Sequence, residues 1–420
     1  MKKKVLSLIL ASVMVLSITA CGSGADTTAA PAETAATEEA VEEATEETTE
    51  AVEATEATEA AGDIKIAMIT DSGDITDMSF NQTTYEACKS FAEANGLEFT
   101  YKKPDGDTDD ARIAMVDAAV AEGYNVIVLP GYLFAATIVE ETPKYPDVKF
   151  IALDMSAGDL LSAALGDQYD WNPDNWNVTD YYNAENTYCA IYQEELPGFM
   201  AGYAAVKMGY TKLGFLGGMA VPAVIRYGFG FVQGANYAAE QLGNTADVEI
   251  EYAYGGQFFG SSEITAVCDT WCTNGTEVIF ACGGGIFTSA AEAAAKVDGK
   301  IIGVDVDQAG TIDAYGEGMT ITSAMKGLGA TVNTSLQAVV DGTFSDMTGK
   351  IDNLGLVSGD DLSLNYVALG DSTQFNDTFT ADDYKALVAD MYNGAITVSN
   401  AIDAEPTVSI AVNYREGTIM

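Results

Sequence analysis

The sequence predicts an α/β protein with two lobes, each built on a parallel sheet. Three observations predict it. From Asp63 onward, apolar runs of strand length alternate with amphipathic runs of helix length. The alternation breaks once, over the polar stretch 166–187, and then restarts with the same grammar. The chain has 420 residues, 48% of them apolar, which is enough for two packed cores.

The chain opens on a targeting pattern. Lys2-Lys3-Lys4 is a basic n-region, and Val5–Ile18 is an apolar core too short and wrongly flanked to cross a bilayer. Leu16-Ser-Ile-Thr-Ala-Cys21 resembles a bacterial lipoprotein signal, so the mature chain is expected to start at an acylated Cys21. Residues 22–62 are Ala, Thr and Glu with a lone Pro31. Ordering such a stretch costs more entropy than its few apolar contacts return, which predicts a disordered acidic linker. As an ideal coil of about 40 residues it would span about 35 Å, and self-repulsion would extend it.

In the first half, strands are expected at Ile64–Ile69, Glu98–Tyr101, Val126–Leu129 and Lys149–Leu153, with helices at Thr83–Ala94, Asp109–Ala121 and Phe134–Thr142. Pro143 and Pro146 close the third helix. The stretch 166–187 carries Trp171 and Trp176 and reads as a surface elaboration packed onto the domain. A strand Thr187–Tyr192 and an apolar helix Leu196–Met208 follow. The second half then has strands at Lys212–Leu216, Val248–Tyr254, Glu277–Ala281, Lys300–Val306, Met319–Ala324 and Leu362–Ala368. Its helices are Val224–Leu242, Ser262–Cys272, Thr288–Val297, Leu328–Val340 and Asp382–Tyr392.

Composition removes several function classes. Nineteen Lys plus Arg against 63 Asp plus Glu leave a net charge of −44, which repels a nucleic-acid backbone. With no histidine, Ser-His, Cys-His and His-metal chemistries are out. No GxSxG or Walker A pattern is present, so neither an enzyme nor a cofactor is expected. Beyond Cys21 the cysteines are Cys88, Cys189, Cys268, Cys272 and Cys282, an odd number better read as buried thiols than as a disulfide framework or a zinc site.

Positions just after parallel strands converge on one pocket. There the sequence places Asp71, Asp154, Gly283–Gly285, Asp305 and Lys326. The first of these loops, Asp71-Ser-Gly-Asp-Ile-Thr-Asp-Met-Ser-Phe-Asn-Gln82, mixes carboxylates, one ring, one amide and backbone N–H groups at a helix start, which suits a polar small molecule with a flat part. A ring at Phe80 would stack on such a molecule if it faces the cleft, and a core position is the plain alternative; Phe258 or Phe259 could supply the opposing ring. Asp305 and Asp307 alternate along a strand end, so only one can face the cleft, where a carboxylate fits a vicinal diol. Lys326 could pair with a pocket aspartate, donate to a ligand, or do both.

Several segments together resemble the basic membrane protein (BMP) family of substrate-binding lipoproteins, which includes purine-nucleoside receptors of ABC transporters. They are Asp77-Met-Ser-Phe-Asn-Gln82, Gly123-Tyr-Asn-Val-Ile-Val128 with Tyr145-Pro-Asp147, Gly198-Phe-Met-Ala-Gly-Tyr203, Gly303-Val-Asp-Val-Asp-Gln308 and Thr322-Ser-Ala-Met-Lys326. The resemblance implies a type I periplasmic-binding-protein fold, two doubly wound lobes joined by a hinge that closes on a ligand. By it, Asp71 and Asn81 would bond a purine edge, Phe80 and Phe258 would sandwich the base, and Asp154, Gly285, Asp305 and Lys326 would hold the sugar. The implied organisation is a signal peptide 1–21, a linker 22–62, a substrate-binding domain 63–395 and a tail 396–420. Lobe 1 would take about 63–193 plus 309–345, and lobe 2 about 194–308 plus 346–395. The implied protein is a lipid-anchored monomer on the outer face of the membrane, handing nucleosides to a permease. A receptor for a sugar or other small polar metabolite, and a surface signalling or adhesion lipoprotein, stay open.

Overall fold

The computed structural model describes residues 63–420 apart from Ser72. The signal peptide, Cys21 and the acidic linker lie outside the described residues. In chain order the first elements are β1 (Lys65–Ile69), α1 (Phe80–Asn95), β2 (Glu98–Lys102), α2 (Asp109–Ala121), β3 (Val126–Pro130), α3 (Ala135–Lys144), β4 (Lys149–Leu153), α4 (Ala157–Leu165) and β5 (Thr187–Tyr192). Next come α5 (Glu195–Lys207), β6 (Lys212–Gly217), α6 (Pro222–Leu242), β7 (Glu249–Tyr254), α7 (Ser262–Thr273), β8 (Val278–Cys282), α8 (Phe287–Ala294), β9 (Lys300–Asp305), α9 (Ala309–Ile312) and β10 (Thr320–Lys326). The chain ends with α10 (Leu328–Val340), β11 (Ile351–Leu354), β12 (Val367–Leu369), α11 (Ala381–Tyr392) and β13 (Ala411–Thr418).

The strands form two sheets, in the orders β11-β5-β4-β3-β1-β2 and β12-β10-β9-β8-β6-β7-β13. Every pairing in the first sheet is parallel. In the second only β10 with β12 is antiparallel. Central strands such as β3 (VIVLP) are buried on both faces, as helices above and below a parallel sheet require. Chain order reverses around β1 in one sheet and around β6 in the other, which opens a crevice at the carboxyl ends of the strands.

Pairing corrects the expected lobe boundaries. β10, within 309–345, belongs to the second sheet because it lies beside β9. β11, within 346–395, belongs to the first because it lies beside β5. The 396–420 segment is no tail either: β13 extends the second sheet beside β7, with the Tyr252 and Tyr414 rings 4.8 Å apart. Between the sheets the chain crosses three times, and the crossings bond to one another. Gly327 N donates to Tyr366 O (2.7 Å), Tyr366 N to Gly355 O (3.0 Å) and Gln193 N to Leu354 O (2.9 Å).

Three further elements differ from the expected ones. α4 follows β4 where no helix was expected, started by Ser156, whose side chain accepts from Asp159 N while its own N–H donates to Asp159 Oδ2 (2.9 Å). The segment 362–368 is a 3-10 turn followed by the short β12 rather than one strand. In the 166–187 stretch, Asp170 Oδ1 accepts from Trp176 Nε1 (2.9 Å), whereas Trp171 stands 80% exposed, its ring 5.5 Å from that of Tyr169. The five cysteines after residue 62 are buried free thiols, as expected.

α5 and α6 pack along a seam of glycines. A Cβ at Gly198 or Gly202 would overlap the Tyr227 or Phe231 carbonyl oxygen, and one at Gly230 or Gly234 would overlap that of Glu195 or Phe199. The two backbones therefore touch, which brings Glu194, just before α5, against Arg226 in α6. Gly202→Ala should destabilise the protein by about 1–3 kcal/mol in urea titration despite alanine's better helix propensity. Gly106→Ala, in open space at an ordinary φ, should change stability by less than about 0.5 kcal/mol.

Candidate functional site

The crevice between the lobes is a cavity, and all eight residues proposed from the sequence to bind ligand line it: Asp71, Phe80, Asn81, Asp154, Phe258, Gly285, Asp305 and Lys326. Each arrives from a strand end or the loop behind it, except Phe80 and Asn81, which open α1. Asp71 follows β1, Asp154 follows β4, Asp305 ends β9 and Lys326 ends β10.

At its centre is the Lys326 ammonium, its side chain 3% exposed. Nζ donates to Asp154 Oδ2 at 2.6 Å and lies 3.6 Å from both Glu194 Oε1 and Asp305 Oδ1. The Phe80, Tyr192 and Tyr227 ring centroids lie 5.0, 5.6 and 5.8 Å from it. Burial works against this charge, but Asp154, Asp305 and Glu194 outweigh it and hold the lysine protonated, above its ordinary range. Burial raises the Asp305 carboxyl, opposed by Lys326 and by the Ser79 hydroxyl, which donates to Asp305 Oδ2 at 2.6 Å. Asp307 turns away instead and accepts from Ser372 N (2.7 Å), as alternation along the strand end requires.

Asp154 and Asp305 both have left-handed backbones, with φ of +54° and +66°. Such a conformation costs a non-glycine residue on the order of 1 kcal/mol or more, and it occurs where the chain leaves a strand and the carboxylate enters the crevice. Asp154 Oδ1 is buried without a hydrogen-bond partner.

The other end of the cavity is built by the first loop. Asp77 starts α1, accepting from Ser79 N and Gln82 N on Oδ1 (3.0 Å each) and from Asn81 N on Oδ2 (2.8 Å). Asn81 is buried, and its amide nitrogen donates to Asp71 Oδ1 and Asp77 Oδ2, both at 3.0 Å. Its amide hydrogens are thereby committed to orienting the two aspartates. Gly131, at φ +116°, leaves room for Asp71, whose Oδ2 would lie 3.1 Å from a Cβ there. Opposite, the half-buried Phe258 ring rests on Gly218 and Gly283, where a side chain would collide with it. Phe259 also lines the cavity but is 51% exposed.

Sequence reasoning missed Ser79, Tyr132, Asp159, Glu194, Arg226 and Tyr227. Asp159 had a signal in the Ser156-x-x-Asp159 helix start. Arg226 had one in being a rare cation on a largely apolar helix. Glu194 is fully buried, and its Oε2 accepts from Arg226 Nε at 2.6 Å.

Lys326→Met would leave Asp154 and Asp305 without their cation, with Glu194 keeping only Arg226, and should cost about 3–5 kcal/mol in chemical denaturation. Glu195, beside Glu194, is buried with Oε2 unpartnered, and burial pushes its pKa from 4.5 up to about 7. The folded protein therefore keeps this proton where the unfolded chain releases it. Relative to Glu195→Gln, the wild type should lose up to about 3 kcal/mol of stability as pH rises from 4.5 to 7, then level off. Thermal melts of both proteins across that range measure the difference.

Residues 64–387 match the family model Bmp, described as ABC transporter substrate-binding protein PnrA-like. The Lactococcus lactis subsp. cremoris protein named ABC transporter nucleoside-binding protein BmpA is 25% identical over 300 residues, covering 67% of this chain and 76% of its own. An uncharacterized lipoprotein of Pyrococcus abyssi is 25% identical over 297 residues, covering 70% of this chain and 67% of its own. ABC transporter solute-binding proteins of Conexibacter woesei and Aeropyrum pernix share the fold at TM-scores of 0.59 and 0.58, each 22% identical over 80% of this chain; the matches cover 99% and 87% of their chains. The two parallel-sheet lobes are thus those of a type I-like periplasmic binding protein. With the family model spanning most of the domain that carries the cavity, the chain belongs to the Bmp family of ABC transporter substrate-binding proteins.

Proposed function

We propose that this protein is a lipid-anchored receptor that captures purine nucleosides outside the membrane and delivers them to an ABC permease. The observation that carries the reading is the cavity lining. Two phenylalanines, Phe80 and Phe258, and a buried set of sugar-type hydrogen-bonding groups, Asp154, Asp305 and Lys326, share one crevice. The rings suit the flat faces of a base, and the carboxylates suit a diol. The unpartnered Asp154 Oδ1 is an acceptor that a hydroxyl would satisfy. Asp71 reads the base edge, and Asn81 acts by holding Asp71 in place. Gly285 lets the backbone approach the sugar.

The protein performs no chemistry in this reading, since binding needs only stacking and desolvated hydrogen bonds. The hydrogen-bonded crossings at Gln193, Gly327 and Gly355–Tyr366 are where the lobes would hinge. Anchoring rests on Cys21, and the acidic stretch 22–62 is the tether. Among the described residues no helix is long and apolar enough to cross a membrane.

Titration calorimetry with inosine, guanosine, adenosine and ribose tests the ligand class. At least one nucleoside should bind, more tightly than ribose; silence from all three would end the nucleoside reading. Phe80→Ala should weaken nucleoside binding by about 1–3 kcal/mol while barely touching ribose. Asp305→Ala should weaken it by about 1–3 kcal/mol.

A further inference from the structure

Arg226 sits in the first turns of α6, lines the same cavity, and is assigned no part in the reading above. Its Nε donates to Oε2 of the fully buried Glu194. A guanidinium has five N–H donors, and this bond uses one. Among the described residues no hydrogen bond engages the terminal nitrogens, and neither is a buried orphan. Arg226 lines the cavity with a side chain 17% exposed, which leaves its terminal nitrogens available to a ligand there. Glu194 thus holds the fork from behind, as a carboxylate holds any group that must present its far side to a ligand.

The fork also lies at the polar end of the crevice. Glu194 is shared with Lys326, which in turn grips Asp154 and Asp305. The charges around it argue against an anionic ligand. Asp71, Asp77, Asp154, Asp159 and Asp305 line the cavity, against Lys326 and Arg226 as its cations. Both cations are already committed to carboxylates, so a phosphate would meet a surplus of negative charge. A neutral oxygen acceptor meets no such cost.

We propose that Arg226 is a specificity-determining residue whose terminal nitrogens donate to a hydroxyl of the ligand's sugar, with Glu194 as its positioning residue and with neutral nucleosides favoured over nucleotides. The inference rests on the nucleoside reading and adds to it a residue and a charge class.

The test is calorimetry on the full-length protein. It uses whichever of inosine, guanosine or adenosine binds most tightly, its 2′-, 3′- and 5′-deoxy analogues, and its 5′-monophosphate. The wild type should bind the nucleoside at least a hundredfold more tightly than the monophosphate. Arg226→Met should weaken the nucleoside about tenfold and abolish the affinity penalty for one deoxy analogue, leaving the other penalties intact. Glu194→Gln should show the same pattern more weakly. Circular dichroism checks folding, and Arg226→Lys, which keeps the charge but lacks the fork, serves if the methionine variant does not fold. A purely structural role would lower all the neutral ligands by one common factor, and that result overturns the proposal. So does an unchanged set of deoxy penalties, or a monophosphate that binds as tightly as the nucleoside. A wild type that binds no nucleoside defeats the parent reading and this one together, an outcome distinct from wild-type binding that ignores Arg226.

Discussion

One buried ammonium holds the two lobes in register. Lys326 comes from the second sheet, yet its shortest contact is to Asp154 of the first. Glu194, at a crossing between them, and Asp305 complete the cage. An unpaired ammonium in such a place would be prohibitive, and Asp154 and Asp305 without their cation equally so. The arrangement therefore persists only as a set. Each member fixes the others, and with them the tips of β4, β9 and β10, so the polar wall of the crevice is arranged before any ligand arrives. Preorganisation of this kind lowers the entropy that binding must overcome.

The backbone pays tribute to the same cage. Asp154 and Asp305 adopt left-handed conformations that non-glycine residues avoid, and their side chains meet at Lys326. Two direct bonds stitch the lobes further along the crevice: Ser79 Oγ to Asp305 Oδ2, and Gln308 Nε2 to the Met78 carbonyl (3.0 Å), where Met78 is itself left-handed. Behind the wall, the α5–α6 glycine seam sets how near Arg226 comes to Glu194. Local strain, buried charge and close helix packing thus serve one geometry.

Much of this was legible in the residues because parallel α/β architecture obeys a simple rule. Strand periodicity located β1, β3, β4, β8 and β9, and the residue after each strand belongs to the crevice. That rule alone singled out Asp71, Asp154, Asp305 and Lys326. It failed where a partner outside the segment decides. The largely polar β11 and β13 carry little intrinsic strand signal and exist because β5 and β7 offer open edges. Assigning β10 to the first lobe failed for the same reason, since a strand's sheet depends on its neighbour and not on its own pattern. Glu194 and Arg226 escaped notice because a carboxylate before a helix and an arginine on one are individually ordinary.

What the sequence by itself determined is the alternation of strands and helices, the restart after 166–187 and the chemistry collected at the strand ends, because periodicity and covalent order are local properties. Only the tertiary structure decided which strands share a sheet and how Asn81 spends its amide on Asp71 and Asp77. It alone brought Lys326 to Asp154 across 172 positions of chain. Those contacts are set by burial: once desolvated, each charge and amide must find a partner, and the partner is wherever the fold has placed one.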